Sequence, residues 1–477
     1  MKKYIFLALI GAFALTGMAK SPKRGVSENQ FSMGSMLEAL EPGVTWYYNW
    51  GNTPGKGYQN QVIDFEGIEY VPMCWNANYN ADAIREYCKS HPQTKYLLGF
   101  NEPNFTAQAN MTPQKAAEAW PAVQALAKEL GLQLVAPALN YSPNPPYTDP
   151  LKWMDEFVAL VGNDAFDFTA IHNYGGLQVM KTLAGNFHDR YGKDVWVTEF
   201  CYWPNEGSNN DYVSPDNQIA SMVETVQWLE TTPWIYRYAW FKAIGNNQTL
   251  QGPNYQLLAH EGSSSDPWFL SEQGKVYVGL GTFDAGQWHQ PGSWVPAVDY
   301  EVANLVGLGA SKDAALGFPL EINRFQAGAS ATWQFETKEA TDYVITMRLG
   351  GFGEPTRFDP QLHWVLTDGT TETPLTEKFS PVLPNSDTDY VEYSVTVSLP
   401  AGQLQLKLND LAPYSPSGIK ISALRLDDLA GVDDVLTDSF ETDGPVYNLQ
   451  GVRVCNASGF AALPSGLYII AGKKVIK

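Results

Sequence analysis

Between residues 40 and 285, short apolar runs alternate with amphipathic stretches, and this alternation is the strongest constraint on the fold. The runs are Val44–Trp50, Ile68–Trp75, Tyr96–Asn101, Leu132–Leu139, Phe166–Tyr174, Val195–Phe200 and Ile235–Phe241. Between them, Ala81–Lys89, Pro113–Leu130, Leu151–Val161 and Asp216–Glu230 carry helical spacing. Strands alternating with helices predict a parallel β/α architecture, because two parallel strands can pair only after a crossover. The length suits one (β/α)8 TIM barrel, which takes roughly 250 residues, and the barrel domain is expected over residues 30–285. Seven strands are clear. The eighth is expected at Gln61–Phe65 or in an irregular segment. An open doubly wound sheet would need a glycine-rich phosphate loop. Gly279-x-Gly281 and Gly307-x-Gly309 both lack the third glycine, with Asp284 and Lys312 in its place.

After residue 286 the period changes. Pro291–Pro296 reads as a linker. Beyond it, near period-two alternation dominates, as in Ala331–Glu336, Tyr343–Arg348, Tyr390–Ser398, Gln403–Leu408 and Ile419–Leu426. Short alternating runs separated by turn clusters predict an all-β jelly-roll sandwich, here over 297–430. Val446–Leu449, Gly451–Val454 and Leu467–Val475 predict a small β module of their own within 440–477.

The net charge of −20, with only 31 Lys and Arg, argues against nucleic acid and anionic membrane surfaces as partners. The 15 Trp and 25 Tyr supply flat apolar faces of the kind on which sugar rings stack. At the N-terminus, Lys2 and Lys3 precede the apolar stretch Tyr4–Leu15, with small residues ending near Ala19. This predicts a signal peptide over 1–19 and a secreted or cell-surface protein; no run is long enough to predict a membrane span. Cys74, Cys88, Cys201 and Cys455 are too few for a disulfide-built scaffold, and Cys74–Cys88 is the pair expected if any bridge forms. The six histidines are scattered, with no HExxH pattern and no GxSxG elbow, so no metal and no cofactor is expected.

The chemistry points to two strand ends. LLGFNEPN (Leu97–Asn104) and WVTEF (Trp196–Phe200) are apolar runs that each end in a glutamate followed by turn-forming residues. A barrel strand delivers a carboxylate to the open face of an enzyme in this way. Cleaving a glycosidic bond with retention requires one carboxyl group to protonate the leaving oxygen and another to attack the anomeric carbon. Glu102 and Glu199 are therefore the candidate catalytic pair.

Taken in order, YYNW (Tyr47–Trp50), VPMCW (Val71–Trp75), LLGFNEPN, AIHNY (Ala170–Tyr174), WVTEF and RYAWF (Arg237–Phe241) resemble glycoside hydrolase family 128 of clan A. The resemblance covers about residues 40–285. It implies a retaining enzyme acting on β-1,3-glucans such as laminarin and curdlan, with Glu102 as acid/base on the fourth strand and Glu199 as nucleophile on the seventh. Around them, Asn101 is expected to bond the 2-hydroxyl of the reacting sugar and Trp240 to form a stacking floor. Tyr174 is expected to hold Glu199, and His172 to bind sugar or orient a glutamate. Asn49, Trp50 and Trp75 are expected to line subsites. A monomer with a β-glucan polysaccharide or oligosaccharide as its partner is expected. Two alternatives remain open: a β-glucan-binding protein with little turnover, and a hydrolase of another β-glucan linkage. The sandwich resembles carbohydrate-binding modules of families 6 and 35, through VDYEVANL, ATWQFETKEATDYVITMRL and GIKISALRLDD. The tail resembles C-terminal sorting modules of Bacteroidetes-type bacteria, through VYNLQGVRV and LPSGLYIIAGKKVIK.

Overall fold

The computed structural model describes residues 21–29, 31–57, 60–204, 213–245, 254–262, 267–281, 288–318, 320–351, 360–413, 419–428, 445–448, 453–463, 467–470 and 473–476. The signal peptide expected over 1–19 lies outside the described residues.

Eight parallel strands form the first sheet. They are β1 (Arg24–Ser27), β2 (Trp46–Tyr48), β3 (Glu69–Tyr70), β4 (Tyr96–Leu98), β5 (Gln133–Leu139), β6 (Phe168–Asn173), β7 (Val195–Phe200) and β8 (Ile235–Phe241). Each pairs with its neighbour in sequence except β3 with β4, and β1 also pairs with β8. A parallel bridge between Met73 and Leu98 links the β3 and β4 sides, with Cys74 N–H donating to the Leu98 carbonyl at 2.9 Å. The result is a TIM-like barrel. Between strands run α1 (Gly34–Leu40), α2 (Ala81–Ser90), α3 (Pro113–Leu130), α4 (Pro150–Val161), α5 (Leu177–Tyr191) and α6 (Pro215–Thr231). Local chemistry sets several of these starts. Thr112, Asp149 and Ser214 each cap a helix with a side-chain oxygen, and proline follows each as the first helical residue, where its missing N–H costs nothing.

The eighth strand is β1, not Gln61–Phe65, and it lies ahead of residue 30. Within 61–65, Val62 and Phe65 make only isolated bridges, to Lys56 and Ile68. Hydropathy hides β1 because its first residue is an arginine. Arg24 is nevertheless buried. Its guanidinium donates to Tyr238 Oη at 2.9 Å, to Glu230 at 3.0 Å, and to the carbonyls of Tyr277 and Leu280 at 3.0 and 2.7 Å. Next to it, Gly25 lies against the Trp46 indole so closely that a Cβ there would come within 2.3 Å of the ring.

Two apolar layers result. Inside the ring, Trp46, Tyr48, Met73, Tyr96, Phe168, Trp196 and Ala239 fill the barrel. The Arg237 guanidinium crosses their faces, 4.5 Å from the Tyr96 ring centre, and pairs with Glu69 at 2.8 Å. Outside the ring, the alternate strand residues pack against the helices.

A hairpin of β9 (Leu258–His260) and β10 (Trp268–Leu270) and helix α7 (Glu272–Gly279) follow the barrel. An antiparallel β-rich region comes next: β11 (Trp294–Pro296), β12 (Val302–Ala310), β13 (Leu320–Thr337), β14 (Thr341–Gly350), β15 (Leu362–Thr367), β16 (Glu372–Pro374), β17 (Tyr390–Leu399), β18 (Gly402–Asp410) and β19 (Ile419–Asp428). The segment expected as a linker ends in β11, which pairs with β19. The last strands, β20 (Pro445–Asn448), β21 (Arg453–Asn456), β22 (Leu467–Ile470) and β23 (Lys473–Ile476), form a four-stranded antiparallel sheet. All four cysteines are free, so Cys74 and Cys88 are not bridged. No helix among the described residues is long and apolar enough to cross a membrane.

Candidate active site

The two glutamates meet at the C-terminal end of the barrel. Glu199 is on β7, in register with His172 on β6. Glu102 follows β4 after Gly99–Asn101, where the chain continues alongside β5 and the Glu102 N–H donates to the Ala138 carbonyl at 2.9 Å. Its φ is +43°, in the left-handed region, which costs a non-glycine residue roughly 1–2 kcal/mol. Trp50, beyond the end of β2, has φ +58°. Both left-handed residues aim a side chain at the same point.

That point is a three-group cluster. His172 Nδ1 lies 2.9 Å from Glu102 Oε1 and 3.3 Å from Glu199 Oε2, and carboxylate oxygens of the two glutamates come within 4.8 Å of each other. His172 is fully buried, and the glutamates are 5% and 4% exposed. Glu199 collects further donors. Trp50 Nε1 reaches Oε1 at 2.7 Å, Tyr48 Oη lies 3.2 Å from the same oxygen, and Tyr174 Oη bonds Oε2. Burial pushes the Glu199 carboxyl above its ordinary value. The His172 charge pulls it back, the neighbouring Glu102 charge pushes it up, and the bonds from Tyr174 and Trp50 pull it down; the net direction is upward. A proton on Oε1 would face the indole N–H of Trp50, which can only donate. The donor set therefore favours the ionised form of Glu199 within an otherwise unfavourable site.

Among the described residues, Glu102, His172 and Glu199 are also the group whose side-chain atoms converge closely enough to hold a metal ion. The oxygens of Glu199, however, already accept from Trp50 and Tyr174. This arrangement serves hydrogen bonding to a carboxylate.

A cleft of about 480 Å³ opens onto the pair, lined in part by Trp50, Trp75, Asn101, Phe105, Gln108 and Phe241. The structure thus brings Glu102, Glu199, Asn101, Trp50, Trp75 and Tyr174 to one surface, with His172 directly beneath. The Asn101 amide donates to Gln108 at 3.3 Å, while its carbonyl oxygen is buried with no hydrogen-bond partner. Asn49 is a correction: its side chain accepts from Gly51 N–H and Tyr70 Oη and donates to the Thr53 carbonyl, so it shapes the turn that carries Trp50 rather than lining the cleft.

Trp240 is the second correction. It is fully buried, packs on Phe200 and Tyr277, and donates from its indole to the Tyr255 carbonyl at 2.7 Å. Alternation along β8 explains it: Tyr238 and Trp240 face the helices, whereas Ala239 and Phe241 face inward. Phe241 is the aromatic that lines the cleft, edge-on to Tyr174 at 5.4 Å and to Trp50 at 5.9 Å. The same period-two argument would have found Tyr48, which shares a face with Trp46 and Trp50. Gln108 and Phe105 sit in a loop that carries no such signal.

Residues 25–276 match the model of the family described as "Glycosyl hydrolase catalytic core". The chain belongs to this family. The chain is also 27% identical over 249 residues to alkali-sensitive linkage protein 1 of Schizosaccharomyces pombe, a match covering 50% of this chain and 41% of that protein. It thus spans less than half the length of that curated relative. Solved structures similar to it include two of family 128, subgroup II, endo-β-1,3-glucanases. The one from Pseudomonas viridiflava is 33% identical, with a TM-score of 0.47, covering 54% of this chain and 98% of that one. The one from Sorangium cellulosum is 33% identical, with a TM-score of 0.45, covering 54% and 97%.

Proposed function

We propose that this glycosyl hydrolase is a retaining endo-β-1,3-glucanase. The observation that carries the reading is the buried carboxylate pair, within 4.8 Å and bridged by one imidazole. Retaining enzymes hold their carboxyl groups roughly 5–5.5 Å apart, whereas inverting ones need roughly 6.5–9.5 Å to admit a water. The choice of β-1,3-glucan rests on the ordered strand-end motifs from Tyr47 to Phe241 and their resemblance to family 128. Endo action is part of the proposal: Phe105 and Gln108, which follow Glu102 in the chain, and Phe241 and Lys242, at the end of β8, all line the cleft with the pair.

In the first half-reaction Glu102 gives its proton to the glycosidic oxygen while a Glu199 oxygen attacks the anomeric carbon. The bond to the leaving sugar breaks and a glycosyl ester forms on Glu199. In the second, Glu102 takes a proton from water, the water oxygen attacks the same carbon, and the ester bond breaks. Both carboxyl groups return to their starting states. Glu199 is assigned as nucleophile because its oxygens accept from Trp50, Tyr48 and Tyr174, all of which stabilise a carboxylate. Glu102 shares only His172 among these groups and faces the cleft as the proton carrier. The buried Asn101 carbonyl oxygen is placed to accept from a sugar hydroxyl.

The test is NMR of freshly cleaved laminarioligosaccharides. The β anomer is expected first; the α anomer first would overturn retention. Cleavage of β-1,4-glucan with no product from laminarin or curdlan would overturn the linkage.

The reading extends to the rest of the chain. The antiparallel region is proposed as a jelly-roll module that holds glucan near the cleft, which raises local concentration. Residues 1–19 are proposed to export the protein as a monomer, and the final four-stranded sheet to sort it to the cell surface. Recovery of the protein in the cytoplasmic fraction alone would overturn export.

A further inference from the structure

Lys242 is the only cation among the described residues that line the cleft. It directly follows β8, and its Nζ lies 3.5 Å from Glu28 Oε1. Glu28, just past β1, is fully buried. Its backbone N–H donates to the Tyr48 carbonyl at 3.0 Å, and its Oε2 accepts from the Ile244 N–H at 2.7 Å. Glu28 therefore ties the chain leaving β8 to the first two strands of the barrel, and it fixes where the lysine points. An ammonium has three donors. One is directed at Glu28, which leaves donors for the cleft, onto which the side chain opens at 16% exposure.

The site has two sides. Phe241, next to Lys242, packs on Trp50 and Tyr174, which both bond Glu199. Asn101, Phe105 and Gln108 instead flank or follow Glu102. If Glu102 protonates the leaving oxygen and Glu199 attacks the anomeric carbon, the Glu102 side faces the departing sugar and the Glu199 side the retained one. We infer that Lys242 is a specificity-determining residue that donates hydrogen bonds to hydroxyls of the retained sugar, with Glu28 as its positioning residue. The inference rests on the glycosidase reading given above.

The test compares Lys242→Met with wild type on two substrates: a β-1,3-linked oligosaccharide, and an aryl β-glycoside carrying the same retained sugars. Losing a charge-assisted hydrogen bond lowers kcat/KM by about 10- to 100-fold. The expected result is that fall on both substrates, because both fill the retained side. Lys242→Gln, which keeps a neutral donor, is the second variant and is expected to lose less on both. A loss confined to the oligosaccharide would place Lys242 on the leaving side and overturn the inference. So would unchanged kcat/KM on both with a lowered melting temperature, which would mean that the lysine only neutralises Glu28. Absence of wild-type turnover on both substrates would overturn the glycosidase reading and this inference together.

Discussion

The barrel and the antiparallel region both bury carboxylates, and they treat them in opposite ways. At the barrel mouth two glutamates share one imidazole, two nearby residues have left-handed backbones, and burial drives Glu199 upward. In the antiparallel region Asp313, between β12 and β13, receives Arg348 Nε at 2.6 Å and Nη2 at 2.9 Å, Ser422 Oγ at 2.6 Å and the Ala315 N–H at 3.1 Å. Burial pushes the Asp313 carboxyl up, but these partners together hold it below its ordinary value. One region keeps two buried acidic groups close and tolerates the cost. The other, at Asp313, matches a buried charge with its opposite. That difference separates a site organised for chemistry from a network organised for stability.

The largest effect expected from breaking this contrast is on turnover. Glu199→Gln keeps the shape and removes the proposed nucleophile, and kcat on laminarin should fall on the order of 10⁴-fold. The same variant should stabilise the fold at neutral pH. The sign follows from the upward shift: the folded state holds the Glu199 proton more tightly than the unfolded chain, whose value is about 4.3. Wild-type stability is therefore lost as pH rises from there through the folded value, and the glutamine escapes that loss. Melting temperatures of the two proteins should converge below about pH 4. A variant less stable than wild type at pH 7 would break the comparison.

Asp313→Ala should do the reverse. Removing one partner of this nearly buried pair should cost about 3–5 kcal/mol in urea unfolding, with kcat on laminarin unchanged. The depressed Asp313 value means that its stabilisation is present above the unfolded value of about 3.9 and lost as pH falls through the folded one. The deficit of the variant should therefore narrow in acid. A deficit independent of pH would show that packing, not charge, holds this network.

The smallest effect is a sharpening. Trp50→Phe retains the ring but removes a donor to Glu199. The carboxyl should move further up, shifting the acid limb of the kcat/KM profile to higher pH, with about a 10- to 100-fold loss at neutral pH. An unshifted acid limb would mean that Trp50 is only a wall of the cleft.

Much of the site was legible because strand ends obey simple rules. An apolar run closed by Asn-Glu-Pro and another closed by Thr-Glu-Phe point two carboxylates at one mouth. His172 on β6 and Tyr174 just past its end, two positions apart, reach the pair for the same reason. Trp240 was misread because composition names the aromatic but strand parity decides its face, and one step along β8 exchanges cleft for core. β1 was missed because Arg24 looks exposed until Tyr238, Glu230 and carbonyls at and just past the end of α7 gather around it. Glu28 and Lys242 are 214 positions apart and carry no shared local pattern.

By itself, the sequence determined the alternation of strands and helices, the helix caps at Thr112, Asp149 and Ser214, and the glutamates at the ends of two barrel runs. Each is a local matter of hydrogen-bond satisfaction or apolar period, which neighbouring residues settle. Only the tertiary structure decided that one imidazole bridges the two carboxylates, that Trp50, Tyr48 and Tyr174 converge on Glu199, and that a buried glutamate aims Lys242 into the cleft. Those facts depend on distances between strands far apart in the chain, and closure of the barrel sets such distances.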